Sequence, residues 1–598
     1  MMDIIFELAQ ELNFTVPQNL TISSCENGYQ VSRRGECCSI ACSNKVQLAK
    51  ALVELKRHSG DFTAEGACRL DNMGIMFDCS RNGVLKVDVV KKLIRMSALM
   101  GYNMVLLYIE DTYTIENRPY FGYLRGRYSE DELREIDAYA ARFDMQAVPC
   151  MQTLAHMNAA KKWADLGDMF DINDILLCDD EKTYAFIDDM FAAMRRCFKT
   201  DLINIGMDEA FMLGLGQYLK KHGYTDRFTI LTRHLNRVCQ IAEKYHYKPM
   251  MWSDMFFRIC NDGNYHGPNP VPQEIIDQVP ENVSLAYWNY RTLETEVYDH
   301  VLGEHKRFDR EVWMVNTAWK CIGMVPHNYY TFRTVDALMP AMEKHGIKNF
   351  FTTCWGDNGA DCSVFSALPS ICYIALRHYG VDDQQTFADV FLALTDMRLE
   401  DYLLIDTPNM MGTTELRIEC PSKYFLYNDL FSGFLDARVH EDYASSLAQR
   451  AKALAAYDGG RFPQIFRTAT ALCRVLELKV DLGIQTRQAY QQKDTAKLRQ
   501  LALKVYPELV GRVEELHRAF YEQWHMENKG QGFEVMDVRL GGLIQRIKTC
   551  IWKLQNHLES GAPIEELEDT ILPFKCGDRE DQHLTYYNWA NFVTVNTL

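Results

Sequence analysis

Between about residue 68 and residue 385, short apolar runs alternate with amphipathic stretches. The runs are "MGIMFD" (73–78), "NMVLLYI" (103–109), "MQAVPC" (145–150), "LINIG" (202–206), "KPMMW" (248–252), "VSLAYW" (283–288), "VWMVN" (312–316) and "KNFFTT" (348–353). Runs of this length with no polar face read as buried strands. Stretches such as "VDVVKKLIRMSALMG" and "SEDELREIDAYAARFD" repeat apolar residues at three and four and read as helices, the second opened by Ser129 and Glu132 at capping-box spacing. Eight strand-then-helix units predict an α/β fold, a (β/α)₈ TIM barrel. The link after the fifth strand, "CNDGNYHGPNPVPQ", is rich in Pro and Gly and leaves room only for a short or displaced helix.

The pattern differs on either side. Residues 1–66 hold an apolar, strand-like start, turn signals at Asn27-Gly28 and Arg34-Gly35, and the helical stretch "KVQLAKALVELKRHSG", which together predict a small α/β domain. Beyond 385 strand signals fade, and segments such as "QIFRTATALCRVLELKVDLGIQTRQAYQQ" predict an α-helical domain. The expected organisation is therefore 1–66, 67–385 as the barrel, and 386–598.

Composition narrows the function class. The net charge of −17, from 64 basic and 81 acidic residues, argues against nucleic acid or an anionic membrane as partner. The start "MMDIIFELAQELNF" has no basic n-region, and no apolar run approaches the roughly 20 residues of a membrane helix. A cytoplasmic location is expected. The 19 cysteines, scattered through apolar stretches, read as free thiols. Cys37, Cys38 and Cys42 lack a second ligand pair at zinc spacing, so neither metal nor cofactor is expected.

In such a barrel the active site lies at the C-terminal ends of the strands. Those ends deliver Asp78 and Arg81, Glu110 and Asp111, His156, Asp208 and Glu209, Trp252 and Asp254, Tyr287, Trp288 and Tyr290, Asn316 and Trp319, and Trp355, Asp357 and Asn358. Carboxylates among indole and phenol rings suit a sugar, whose apolar faces stack on rings and whose hydroxyls bond to charged groups. No Gly-rich phosphate cradle competes with this reading.

Asp208 and Glu209 are adjacent. Within a strand they would face opposite ways; past its end both can face one ligand. Touching carboxylates raise one another's proton affinity, so one can remain an acid while the other holds positive charge. Glycoside cleavage needs both, yet ordinary glycosidases hold their carboxyls at least about 5 Å apart, usually on different strands. Adjacent acids suit the exception in which the substrate's 2-acetamido oxygen is the nucleophile.

At this point the chain resembles the β-N-acetylhexosaminidases of glycoside hydrolase family 20. "GIMFDCSRNGV", "EDTYTIENRPYFGYLRGRYS", "PCMQTLAHM", "INIGMDEAF", "MMWSDMFF" and "TTCWGDNGAD" resemble the bacterial exo-β-N-acetylglucosaminidases within it. The resemblance implies Glu209 as general acid/base and Asp208 as the residue orienting the acetamido group. It implies Arg81 and Asp357 on the terminal sugar's hydroxyls, His156 behind the acid pair, and Trp252, Trp288, Trp319 and Trp355 as walls. The tyrosine that many members place after strand seven is absent from "VNTAWKCIG"; Tyr287 is the expected substitute, with Tyr290 as the other choice. Glu110 and Asp111 are expected to pair with Arg125 and Arg127. The implied activity is exo-acting, retaining release of terminal β-GlcNAc or β-GalNAc from a glycan through an oxazolinium. A homodimer is implied by resemblance alone. The alternatives are an O-GlcNAcase-like hydrolase, which would carry an Asp-Asp pair; a sugar-binding barrel without turnover; and a metal-dependent hydrolase, for which only one histidine is in place.

Overall fold

A computed structural model describes residues 1–412, 417–572, 584, 589, 590 and 594. The chain opens with a helix, Met2–Glu11, where a strand was expected. Ile4, Ile5, Leu8 and Ala9 recur at helical spacing and are all buried on one face, so the three-four period prevails over the β-branched start. Strands β1 (Asn19–Ser24), β2 (Tyr29–Arg34), β3 (Cys37–Cys42) and β4 (Phe62–Gly66) form a mixed sheet in the order β1-β3-β2-β4. Only the second turn signal closes a hairpin: Arg34 pairs with Cys37 across Gly35-Glu36, whereas β1 runs parallel to β3. The helix Lys45–Arg57 packs against this sheet on one side and against the helices Val87–Met100 and Gln384–Thr395 on the other. Enclosure on both sides explains why even Gln47, Lys50 and Glu54 are buried there.

The eight predicted runs are the eight strands of a closed parallel barrel: β5 (Asn72–Asp78), β6 (Met104–Tyr108), β7 (Gln146–Cys150), β10 (Leu202–Asn204), β11 (Lys248–Trp252), β12 (Ser284–Trp288), β13 (Val312–Thr317) and β14 (Asn349–Cys354), which pairs back onto β5. A small hairpin, β8 (Phe170–Ile172) with β9 (Ile175–Leu176), interrupts the loop after β7. The capping box at Ser129 and Glu132 is formed. The long link after β11 holds only the short helices Asp254–Cys260 and Gln273–Ile276.

Beyond the barrel the described residues form helices, including Tyr443–Ala455, Pro463–Lys479, Tyr506–Glu527 and Glu534–Ser560. Their docking reaches the mouth of the barrel. The Glu527 carboxylate accepts from Ser363 Oγ at 2.5 Å and Val364 N at 3.3 Å. Lys529 N donates to Val84 O at 2.7 Å, and Arg539 donates to Asn358 O at 2.6 Å. The helical region thus braces the loops after β5 and β14, which carry Arg81 and Asp357. Among the described residues, no helix is long and apolar enough to cross a membrane.

Candidate active site

The C-terminal mouth of the barrel encloses a cavity of about 400 Å³. Arg81, His156, Asp208, Glu209, Trp252, Trp288, Trp319, Trp355 and Asp357 line it together. They come from seven strand ends or the loops after them; the loop after β10 gives the adjacent acid pair, and that after β14 gives both Trp355 and Asp357.

The backbone after β10 explains how both acids reach one space. Gly206, Met207 and Glu209 all have left-handed φ, at 73°, 74° and 54°. Two of these are not glycine, and such strain persists only where surrounding contacts enforce it. Those contacts are visible. Asn204 Oδ1 accepts the Gly206 N–H at 2.9 Å, Gln152 Oε1 accepts that of Met207 at 3.3 Å, and Asp254 Oδ2 accepts that of Glu209 at 3.2 Å. Farther along the loop, Asp171 on β8 accepts from the N–H groups of Gly214, Gly216 and Tyr218. A Cβ on Gly206 would overlap Gln152 Oε1. Gly206→Ala should therefore cost about 1–3 kcal/mol and disturb the acid pair. A lowered denaturant midpoint together with lowered kcat checks this; wild-type values of both would show that Gln152 can yield.

Asp208 is buried and fully engaged. Gln152 Nε2 donates to its Oδ1 at 2.9 Å, and His156 Nε2 lies 3.2 Å from its Oδ2. Burial pushes the Asp208 carboxyl up, but the His156 charge 3.2 Å away and the hydrogen bond from Gln152 outweigh it and hold the group below its ordinary range. Burial likewise opposes the charge on His156, and Asp208 overcomes it, raising the imidazole to about 9. The mutual elevation expected for adjacent carboxyls therefore does not govern Asp208. The raised acid is Asp254, lifted to about 7 by burial and then by Asp208, against the pull of Arg258. Glu209 is the open member of the pair, with 38% of its side chain exposed, and its Oε2 lies 3.8 Å from His156.

Arg81 donates to Glu110 Oε1 at 2.9 Å and to Asp357, and its guanidinium lies 5.4 Å from the Trp355 ring. Glu110 also accepts from Tyr108 OH at 3.0 Å. Glu110 thus pairs with Arg81, not with Arg125 or Arg127 as expected. Asp111 does pair with Arg125, at 3.2 Å. Trp252 and Trp355 meet at 6.2 Å, and Trp288 stacks on Tyr290 at 5.2 Å. Trp319 lines the cavity with its indole N–H tied to Tyr290 O at 2.9 Å.

Tyr287 is the exception among the expected residues, because it does not line the cavity. Neighbouring strand residues face opposite ways. Trp288 takes the inner side, so Tyr287 turns out towards Tyr298 and His305 of the helix Thr295–Lys306. Tyr290, two residues beyond Trp288, lines the cavity in its place. Gln152, Arg258, Tyr265 and His266 are also at or beside the site, though the sequence does not single them out. Gln152, two positions past β7, was legible from strand alternation. Arg258, four positions after Asp254, was legible from helical spacing. Tyr265 and His266 sit in an irregular loop that carries no periodic signal. Among the described residues, no cluster of three or more His, Cys, Asp or Glu side chains could hold a metal, and the described cysteines are free thiols.

Residues 73–301 match the model of the glycosyl hydrolase family 20 catalytic domain, and residues 400–586 match that of the Glycoside Hydrolase 20C C-terminal domain. Hexosaminidase D of Homo sapiens is 23% identical over 231 residues, covering 36% of this chain and 44% of that protein. Hexosaminidase D of Bos taurus is 24% identical over 220 residues, covering 34% and 59%. The chain thus spans about half the length of these curated relatives. Among solved structures, a family 20 exo-β-N-acetylglucosaminidase from Vibrio harveyi in complex with N-acetylglucosamine superposes with a TM-score of 0.52 at 17% identity, covering 67% of this chain and 72% of that one. A Flavobacterium johnsoniae chitobiase gives 0.51 at 15% identity, covering 87% and 93%. At these identities the structural likeness is one of fold. The two family models together take in well over half of the sequence, and the chain belongs to glycoside hydrolase family 20.

Proposed function

We propose that the protein is an exo-acting, retaining β-N-acetylhexosaminidase that releases terminal β-GlcNAc or β-GalNAc from glycans by substrate-assisted catalysis. The observation that carries this reading is the pairing of a buried, anionic Asp208 with an open Glu209 in one aromatic-lined cavity.

In this reading Glu209 protonates the glycosidic oxygen as the bond to the anomeric carbon breaks. The acetamido oxygen of the same sugar attacks that carbon and closes an oxazolinium ring. Asp208 accepts the acetamido N–H, aligns the nucleophile and stabilises the positive charge as it grows. Its own orientation is set by Gln152 and His156. Glu209, now a carboxylate, takes a proton from the water that opens the ring. Two inversions at one carbon give net retention. Trp252, Trp288 and Trp355 wall the ring. The hydroxyl of Tyr290, beside Trp355 and Thr353, takes the acetamido-oxygen role expected of Tyr287; burial pushes its phenol well up, so it remains a donor. Arg81 and Asp357, already joined to one another, supply a clamp for the hydroxyls of a terminal sugar. A clamp made for the hydroxyls of a terminal sugar is what supports exo action.

A panel of aryl β-glycosides tests the proposal. The β-GlcNAc substrate should turn over with retention, and the β-glucoside, which lacks the internal nucleophile, should react at least about 10³-fold more slowly. Comparable rates on the two would remove the acetamido group from the mechanism. No turnover of any substrate would favour a sugar-binding barrel instead. Release of internal fragments from a chitin oligomer would contradict the exo assignment.

A further inference from the structure

We infer that Asp254 is a positioning residue for the proposed reaction, holding Glu209 in its working backbone conformation and holding the Arg258 guanidinium away from the Glu209 carboxylate. This deepens the hydrolase reading above and rests on it.

The geometry is specific. Asp254 opens the short helix after β11 and is 0% exposed. Its Oδ2 accepts both the backbone N–H of Glu209 at 3.2 Å and Arg258 Nε at 2.8 Å. Its Oδ1 is buried without a hydrogen-bond partner. The Glu209 N–H belongs to a residue at left-handed φ, a conformation that needs an external hold. Two cations face the open acid: Arg258 Nη2 stands 3.9 Å from Glu209 Oε1, and His156 Nε2, from the loop after β7, stands 3.8 Å from Oε2. The guanidinium is confined among the rings of Phe211, Tyr265 and Trp288, at 5.1, 5.4 and 5.4 Å. That site leaves it two anions to choose between.

The consequence is electrostatic. A guanidinium in full contact with Glu209 would favour its carboxylate and impair proton donation. Asp254, four residues before Arg258 on one helical turn, engages the guanidinium and adds a negative charge near Glu209. The groups facing Asp254 are Asp208 and Glu209 from the β10 loop, Arg258 from its own helix and Tyr265 from the following loop. Burial and then the Asp208 charge lift Asp254 to about 7, so its own negative charge is present above that pH.

The test is the pH profile of kcat/KM for the wild-type protein, Asp254→Asn, Arg258→Met and the double variant. Two β-GlcNAc substrates are used, one with a poor and one with a nitrophenolate leaving group. Asp254→Asn removes the anion and frees Arg258, so the alkaline limb should move down by roughly one pH unit. The loss should be larger for the poor leaving group. Arg258→Met should move the limb up, and the double variant should lie near wild type. If Asp254→Asn does not fold, the upward shift in Arg258→Met still supports the inference. A wild-type limb in both single variants, with equal losses on both substrates, would overturn it and leave the hydrolase reading standing. A wild-type protein inert on β-GlcNAc would overturn both.

Discussion

Glu209→Gln is expected to slow release of GlcNAc from a sugar aglycone by roughly 10²- to 10⁴-fold, the span of general acid catalysis by one side chain. The same change should cost far less on a dinitrophenyl glycoside. An alkoxide leaving group needs a proton in the transition state, whereas dinitrophenolate departs without one. The substitution is conservative in shape at a side chain that is partly open to the cavity, so the fold should be unaffected. The check is the ratio of kcat/KM values on the two substrates for mutant and wild type. Equal losses on both would show that Glu209 is not the proton donor. Added azide should restore rate to the mutant on the activated substrate, since a small anion can attack the oxazolinium without a general base.

Asp208→Asn has a different signature. In the proposed mechanism Asp208 acts on the charge of the intermediate and not on the leaving group, so both substrates should lose roughly 10²- to 10³-fold, a typical effect of removing one preorganised electrostatic partner. The protein itself supplies a second readout. Burial lowers the proton affinity of His156; the Asp208 anion is the main influence that lifts the imidazole to about 9, with Glu110 adding to it. With asparagine in place, burial acts with that counter-charge gone, and the imidazole should titrate well below 9. Its NMR resonance across the pH range measures this. An unchanged imidazole titration would mean that the His156–Asp208 pair, at 3.2 Å, does not carry the charge balance described above.

The sequence revealed the barrel because buried parallel strands leave a strong signal, short and wholly apolar, and because helices between them carry a contrasting period. All eight runs became strands. The opening helix was misread because Ile4 and Ile5 favour a strand locally, while Leu8 and Ala9 one turn later decide the element. Half of the cavity lining was legible by reading residues just past each strand end. Tyr287 failed for a geometric reason: the alternation that brings Trp288 inward sends its neighbour outward. The pairing of Glu110 was misjudged, and a role for Asp254 was not visible, for another reason. Their partners, Arg81 and the Glu209 backbone, lie on other strands, and no local pattern encodes which charge meets which across a barrel mouth. The assignment of the raised proton affinity to Asp254, not Asp208, follows only once His156 is seen beside Asp208.

The central claim is that the sugar's own amide attacks the anomeric carbon while Asp208 steadies it. The most direct measurement is kcat across substrates whose N-acetyl group carries none, one, two or three fluorines. Each fluorine drains electron density from the amide oxygen and weakens it as a nucleophile, leaving the aglycone unchanged. The account predicts a steep fall in kcat with every fluorine added. A flat series would assign the attack to a group on the protein and contradict it.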